Sequence, residues 1–191
     1  MLNNQQALEI FINSGALMEG HFKLTSGRHS NQYMQCAQLL QYPDLTEKVA
    51  ENIVQNFKDD NIDIVIGPAM GGIIVAYEVA RQMGKPGIFT ERENGEMKLR
   101  RGFKIDPGKR VLVVEDVITT GGSVREVIEV VEKSGGVVAG VAVLVDRSAG
   151  KVTFGVKQTA VLTLDITSWE PEDCPLCKEG NTEAIKPGSR S

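Results

Sequence analysis

Two adjacent carboxylates, Glu115 and Asp116, stand just ahead of a short run rich in hydroxyls and glycine, Thr119-Thr120-Gly121-Gly122-Ser123. Such a run before a helix offers bare backbone N–H groups and hydroxyls to an anion, and the helix dipole adds to the attraction. Ionised carboxylates only accept hydrogen bonds, so the acidic pair suits hydroxyl groups or a cation. A ligand that wants both devices is a sugar phosphate. The Walker loop is absent, since no Gly-Lys-Ser/Thr follows four residues after a glycine, and so is the Gly-x-Gly-x-x-Gly dinucleotide fingerprint. The plainer alternative is a strand–turn–helix with two acids at its edge. Glycine turns of that kind are common, but two acids at the end of a buried strand are not.

Other residues with chemical capacity are scattered along the chain. A second glycine turn, Gly67-Pro68-Ala69-Met70-Gly71-Gly72, lets a backbone come close to a ligand. Arg147 carries a fork that matches a carboxylate or a phosphate. Residues 91–104 hold five basic and three acidic side chains, so a solvated hairpin of salt-bridge partners and a mobile loop that brings positive charge to an anion both fit. His21, Arg28 and His29 read as a solvated loop with incidental charges. Cys174-Pro175-Leu176-Cys177 is a CxxC, but a zinc site needs about four ligands, and only Cys36 and two histidines distant in sequence remain. Two unligated thiols in a tail are therefore expected.

The elements that must position these groups follow from periodicity. Val111 to Val114 is a continuous apolar run, three of the four β-branched, which predicts a strand buried on both faces of a parallel sheet. The carboxylates then fall where that strand ends, and a helix starts at about Ser123 and stops at Gly135-Gly136. Residues 62–66 and 73–83 predict a second strand–turn–helix unit. Further strands are expected at 86–90, 137–145 and 161–164. Residues 4–14 predict a helix with Leu8, Phe11 and Ile12 on one face. Leu45, Val49, Ile53, Val54 and Phe57 mark another helical stripe. Phe22 and Leu24 alternate with polar residues before a Ser-Gly turn, which predicts a hairpin or small flap. From Thr167 the chain is a polar, proline-punctuated tail. Ligands of such sheets bind beyond the carboxyl ends of the strands, where the glycine turns, the acids and Arg147 all fall.

A chain of 191 residues fits one domain with a core of its own. Its formal charge of −4 argues against nucleic acid or an anionic membrane as partner. The apolar run at 137–145 is too short to span a bilayer, and the first residues lack a signal-peptide pattern. Three cysteines make no disulfide framework at this length. The expected location is the cytoplasm.

Glu115-Asp116 with Thr119 to Ser123 resembles the phosphoribosyl-diphosphate signature of the type I phosphoribosyltransferases. The orotate-using branch of that family matches best, through residues 22–30, 67–72, 114–123 and 145–147, and the ending Lys186-Pro187-Gly188-Ser189-Arg190 is similar to one group within it. The resemblance implies an α/β fold, a mostly parallel central sheet flanked by helices. Residues 1–40 and the tail would form a hood over a core at about 45–166. It implies Mg²⁺-dependent transfer of ribosyl phosphate from phosphoribosyl diphosphate to orotate, with the metal carried mainly by the substrate. Gly71, Gly72, Arg92 and the stretch Glu115, Asp116, Val117, Ile118, Thr119, Thr120, Gly121, Gly122 and Ser123 would bind phosphoribosyl diphosphate. Thr119, Arg147, Tyr33, Met34 and Thr25 would bind orotate. A homodimer is implied, with loop 91–104 reaching the other subunit's site. Thr25 and Gly71 stand where many members have lysine, and the loop lacks the usual histidine. Lys98, Arg100 and Arg101 are then the catalytic cations available. A purine-type transferase and a sensor of phosphoribosyl diphosphate are the rival readings.

Overall fold

The structure, a computed structural model, describes residues 1–180 and 183–187. Helix α1 (Asn4–Asn13) begins with a reciprocal cap: Asn3 accepts from the Gln6 N–H, and the Gln6 side chain accepts from the Asn3 N–H. Its buried stripe is Ala7 and Phe11, whereas Ile12, expected in the core, is exposed. Strands β1 (Leu17–Lys23) and β2 (His29–Met34) pair antiparallel as the expected flap. The short helix α2 (Ala37–Leu40) leads into α3 (Pro43–Phe57), which buries Val49, Ile53 and Phe57.

The core alternates from there. Strand β3 (Ile64–Pro68) precedes α4 (Gly71–Met83), then come β4 (Gly87–Glu93), β5 (Glu96–Leu99), β6 (Arg110–Ile118), α5 (Gly122–Lys133), β7 (Val137–Asp146) and β8 (Gln158–Thr163). The six strands lie in the order β5-β4-β3-β6-β7-β8, all parallel except β5. Leu112 and Val114 of β6 pack with Val49, Ile53 and Val75 on one face, while Val111 and Val113 pack with Val124, Val127 and Val131 on the other. That division is why the strand reads as an unbroken apolar run. From β3 the chain winds to β4 on one side and returns to β6 on the other, so the sheet's switch point lies between β3 and β6.

Two expectations change, and one open alternative is decided. Strand β6 does not end before the acids but runs through them to Ile118, because β7 continues to pair with it out to Asp146. Of the two readings of residues 91–104, the segment takes the hairpin: β4 and β5 pair around Asn94 and Gly95, both at positive φ. The tail is no loose polar appendage. Trp169 exchanges both backbone hydrogen bonds with His29 at 2.8 Å, and Ile185 bonds to His21 and Lys23 on the other edge of the flap. Arg28 donates to Ser168 and pairs with Glu170. The flap residues read as a solvated loop are in fact sealed by the tail: His21 and His29 are 6% and 8% exposed. The CxxC, at the start of a short helix α6 (Pro175–Lys178), lies against these histidines. Gly188, Ser189 and Arg190 of the ending fall outside the described residues. No helix among the described residues is long and apolar enough to cross a membrane.

Candidate active site

The end of β6 supplies the acids. Glu115 is buried and Asp116 half-buried, and both carboxylates turn back on the backbone: Glu115 Oε1 accepts from the Asp116 N–H at 3.0 Å and Asp116 Oδ1 from the Val117 N–H at 2.8 Å. Burial, then the neighbouring Asp116 charge, push the Glu115 carboxyl up to about 9. Below that pH it is a neutral acid, able to donate as well as accept.

A stability consequence follows. The folded-state value lies above the ordinary 4.5, so between those pH values the folded chain holds a proton that the unfolded chain has released. The associated stability is complete below about 4.5 and is lost as pH rises toward about 9. Relative to Glu115→Gln, the unfolding free energy of the unliganded protein should fall by on the order of 1 kcal/mol per pH unit between about pH 6 and 8. Urea unfolding across that range checks it, and a pH-independent difference between the two proteins would contradict it.

After β6 the chain turns through Thr119 and Thr120, both exposed, into α5. Gly121 is the N-cap at φ 76° and leaves the first helical amides without a side-chain cap. A Cβ there would meet Val152 Cγ1 at 2.7 Å, so glycine is required both by the backbone and by space. A cavity of about 230 Å³ opens on this helix start, walled by the turn, Glu115, Arg92 and Glu126. Uncapped amides beside hydroxyls suit a phosphate dianion.

The second glycine turn joins β3 to α4 through a cis Ala69–Met70 peptide. It touches the first. A Cβ on Gly71 would fall on the Asp116 carboxylate, and one on Gly72 would sit 3.2 Å from Glu115 Oε1. The crevice expected between two strand ends is therefore a direct contact, with the acids of one turn filling the space left by the glycines of the other.

Arg147 follows β7. Its N–H donates to Ile118 O at 2.9 Å, which ties it to the end of β6. The Asp146 carboxylate is already occupied by the Ser148 and Gly150 N–H groups, at 2.7 and 3.2 Å. The Arg147 Nε is buried with no hydrogen-bond partner, and burial pulls this guanidinium below its ordinary pKa, against the opposing influence of Tyr33 and Cys36. Even so lowered, an arginine stays charged. Among the described residues no carboxylate pairs with it.

Of the other expected ligand contacts, Tyr33 is half-buried with its ring tilted on Phe22 at 5.7 Å, beside Arg147. Thr25 is exposed at the flap's turn. Met34 is 5% exposed and belongs to the core beneath the flap. Cys36 is a site residue that the sequence does not signal. Its buried Sγ–H donates to Asp116 O at 3.6 Å, and burial with the two nearby acids raises its pKa well above the usual thiol range. Arg92 reaches Glu126 on α5 and so stands at the phosphate turn, whereas the other loop cations face their own hairpin: Lys98 pairs with Glu93 and Glu96, Arg100 with Glu93, and Arg101 with Glu91.

Comparison with known proteins places this geometry. The phosphoribosyl transferase domain family matches residues 35–175. The chain is 61% identical to the orotate phosphoribosyltransferase of Pelotomaculum thermopropionicum, over 99% of each chain, and 59% identical to that of Heliobacterium modesticaldum, over the full length of both. The crystal structure of orotate phosphoribosyltransferase from Aeropyrum pernix superposes with a TM-score of 0.67 at 31% identity, covering 82% of this chain and 92% of that one. The fold, the paired strand-end turns and these full-length relatives agree: the chain belongs to the phosphoribosyltransferase family.

Proposed function

We propose that the chain transfers ribosyl 5-phosphate from phosphoribosyl diphosphate to orotate, forming orotidine monophosphate and diphosphate in pyrimidine nucleotide synthesis in the cytoplasm. The observation that carries the acceptor is Arg147, a desolvated cation with an unpaired Nε–H beside Tyr33 and Cys36. A guanidinium so placed wants a planar anion, which the orotate carboxylate supplies bidentately. Thr119 to Ser123 would cradle the 5-phosphate, and Gly67 to Gly72 would receive the diphosphate. Glu115 and Asp116 would take the ribose 2- and 3-hydroxyls, the neutral Glu115 able to donate as well as accept, while the Asp116 carboxylate would hold negative potential near the carbon that gains oxocarbenium character as the bond to diphosphate breaks. Mg²⁺, carried mainly on the diphosphate, fits here: the Asp116 carboxylate is a hard oxygen donor packed against Gly71, at the turn assigned to that group. Bound there it would neutralise the leaving diphosphate. Loss of orotate absorbance on adding phosphoribosyl diphosphate and Mg²⁺ tests the reading. No turnover with orotate, but turnover with a purine, would overturn it.

A second copy of the chain is the proposed partner. Met70, Ile74 and Tyr77 form an exposed apolar face on and just before α4, at 81%, 45% and 68% exposure, which supports association. Loop 91–104 would then carry its cations to the neighbouring subunit's diphosphate. The ion pairs that hold Lys98, Arg100 and Arg101 are exposed and exchange readily with a stronger anion. Alanine at one or more of the three should lower kcat by roughly tenfold or more with KM for orotate unchanged. Mixing such a variant with an Arg147→Met subunit should restore turnover, because one hybrid site is intact. Unchanged kcat in all three variants would remove the loop from the chemistry.

A further inference from the structure

Both histidines of the chain and two of its three cysteines meet at one point far from each other in sequence. His21 on β1 and His29 on β2 share a face of the flap, and Cys174 and Cys177 bracket the start of α6 in the tail. The four donor atoms all lie within 4.8 Å of one another. His21 Nε2 stands 2.9 Å from His29 Nδ1, 3.5 Å from Cys174 Sγ and 3.6 Å from Cys177 Sγ, and Cys177 Sγ is 3.2 Å from His29 Nδ1. Tetrahedral zinc, with bonds of about 2.0–2.1 Å to nitrogen and about 2.3 Å to sulfur, requires donor separations of about 3.4 Å for N–N and about 3.6 Å for S–N. The observed separations fall within about half an ångström of those values. His21, His29 and Cys174 are buried.

We propose that His21, His29, Cys174 and Cys177 form a structural Zn²⁺ site that staples the tail to the flap. Two thiolates and two imidazoles in a tetrahedron select zinc among the common divalent metals. Four protein ligands close the coordination sphere, so the ion does no chemistry on substrate. The need for it is physical. A two-stranded hairpin is marginal in water, and this one is held to the tail by a few backbone bonds and the contacts of Arg28 and Ser30. A metal bound only in the folded arrangement adds its binding free energy to the stability of that unit. The same hairpin carries Tyr33, so the staple also fixes the wall of the acceptor pocket.

The test is elemental analysis of the full chain, purified under reducing conditions without a metal-binding tag. About one zinc per chain is expected for the wild type and for Cys36→Ser, and less than about a tenth for Cys174→Ser/Cys177→Ser. Because the double variant could fail to fold, the wild type is also stripped of metal, reduced and titrated with Co²⁺. Thiolate-to-cobalt charge-transfer absorption together with the visible bands of tetrahedral cobalt, saturating at one equivalent and displaced by Zn²⁺, is the expected result. A wild type that carries no zinc and gives no such absorption overturns the proposal, as does zinc retained in full by the double variant.

Discussion

Arg147→Met should lower kcat/KM for orotate by about 10²–10³-fold and leave the affinity for phosphoribosyl diphosphate nearly unchanged. Charge-assisted hydrogen bonds are worth about 1.5–3 kcal/mol each, and a bidentate pair lost together accounts for such a drop. Methionine keeps most of the aliphatic stem, so packing is little disturbed. Arg147→Lys should recover only part of the loss, since an ammonium gives a point charge without the fork. Stability should move the other way. The guanidinium is desolvated, with its Nε unpaired in the unliganded protein, so its removal should leave the urea midpoint unchanged or higher. A purely structural arginine would show the reverse: a lower midpoint and parallel losses for both substrates. Purine bases offer no carboxylate, so a purine-type enzyme would keep its turnover in the variant.

The sequence makes much of this site legible for a local reason. The Val111–Val114 run, the acids and the glycine turn are consecutive, and each device works through nearby backbone. What stays hidden depends on contacts between distant segments. Strand β6 continues through Glu115 and Asp116 because β7 pairs alongside, which overrides the polar side chains. Cys36 faces Asp116 across 80 residues. The histidines and the CxxC are separated by about as much of the chain as a domain contains, and no spacing rule joins them; only the return of the tail along both edges of the flap does. Ile12 is misplaced for a smaller reason: the stripe on α1 is turned by one residue, to Ala7 and Phe11.

Gly67→Ala is expected to damage both the fold and the site, and Gly71→Ala the site alone. Gly67 is the penultimate residue of β3, where the start of α4 doubles back on the strand. A Cβ on Gly67 would lie 2.8 Å from the carbonyl carbon of Gly72 and closer still to its oxygen. Backbone is on both sides of that clash, so no side chain can rotate to relieve it. Pro68 sharpens the constraint, since its Cδ already occupies the space where Gly72 would carry a Cβ. Overpacking of this kind costs about 1–3 kcal/mol, and here it falls on the turn assigned to the diphosphate. A lower urea midpoint and a rise of roughly tenfold or more in KM for phosphoribosyl diphosphate should appear together. At Gly71 the atoms nearest the added methyl are all of the Asp116 carboxylate, which can swing aside. The midpoint should then hold while KM rises, because Asp116 leaves the position from which it would meet the ribose. Equal midpoints for the two variants would mean that the Gly67–Gly72 contact yields, and that glycine at 67 is not what closes the turn.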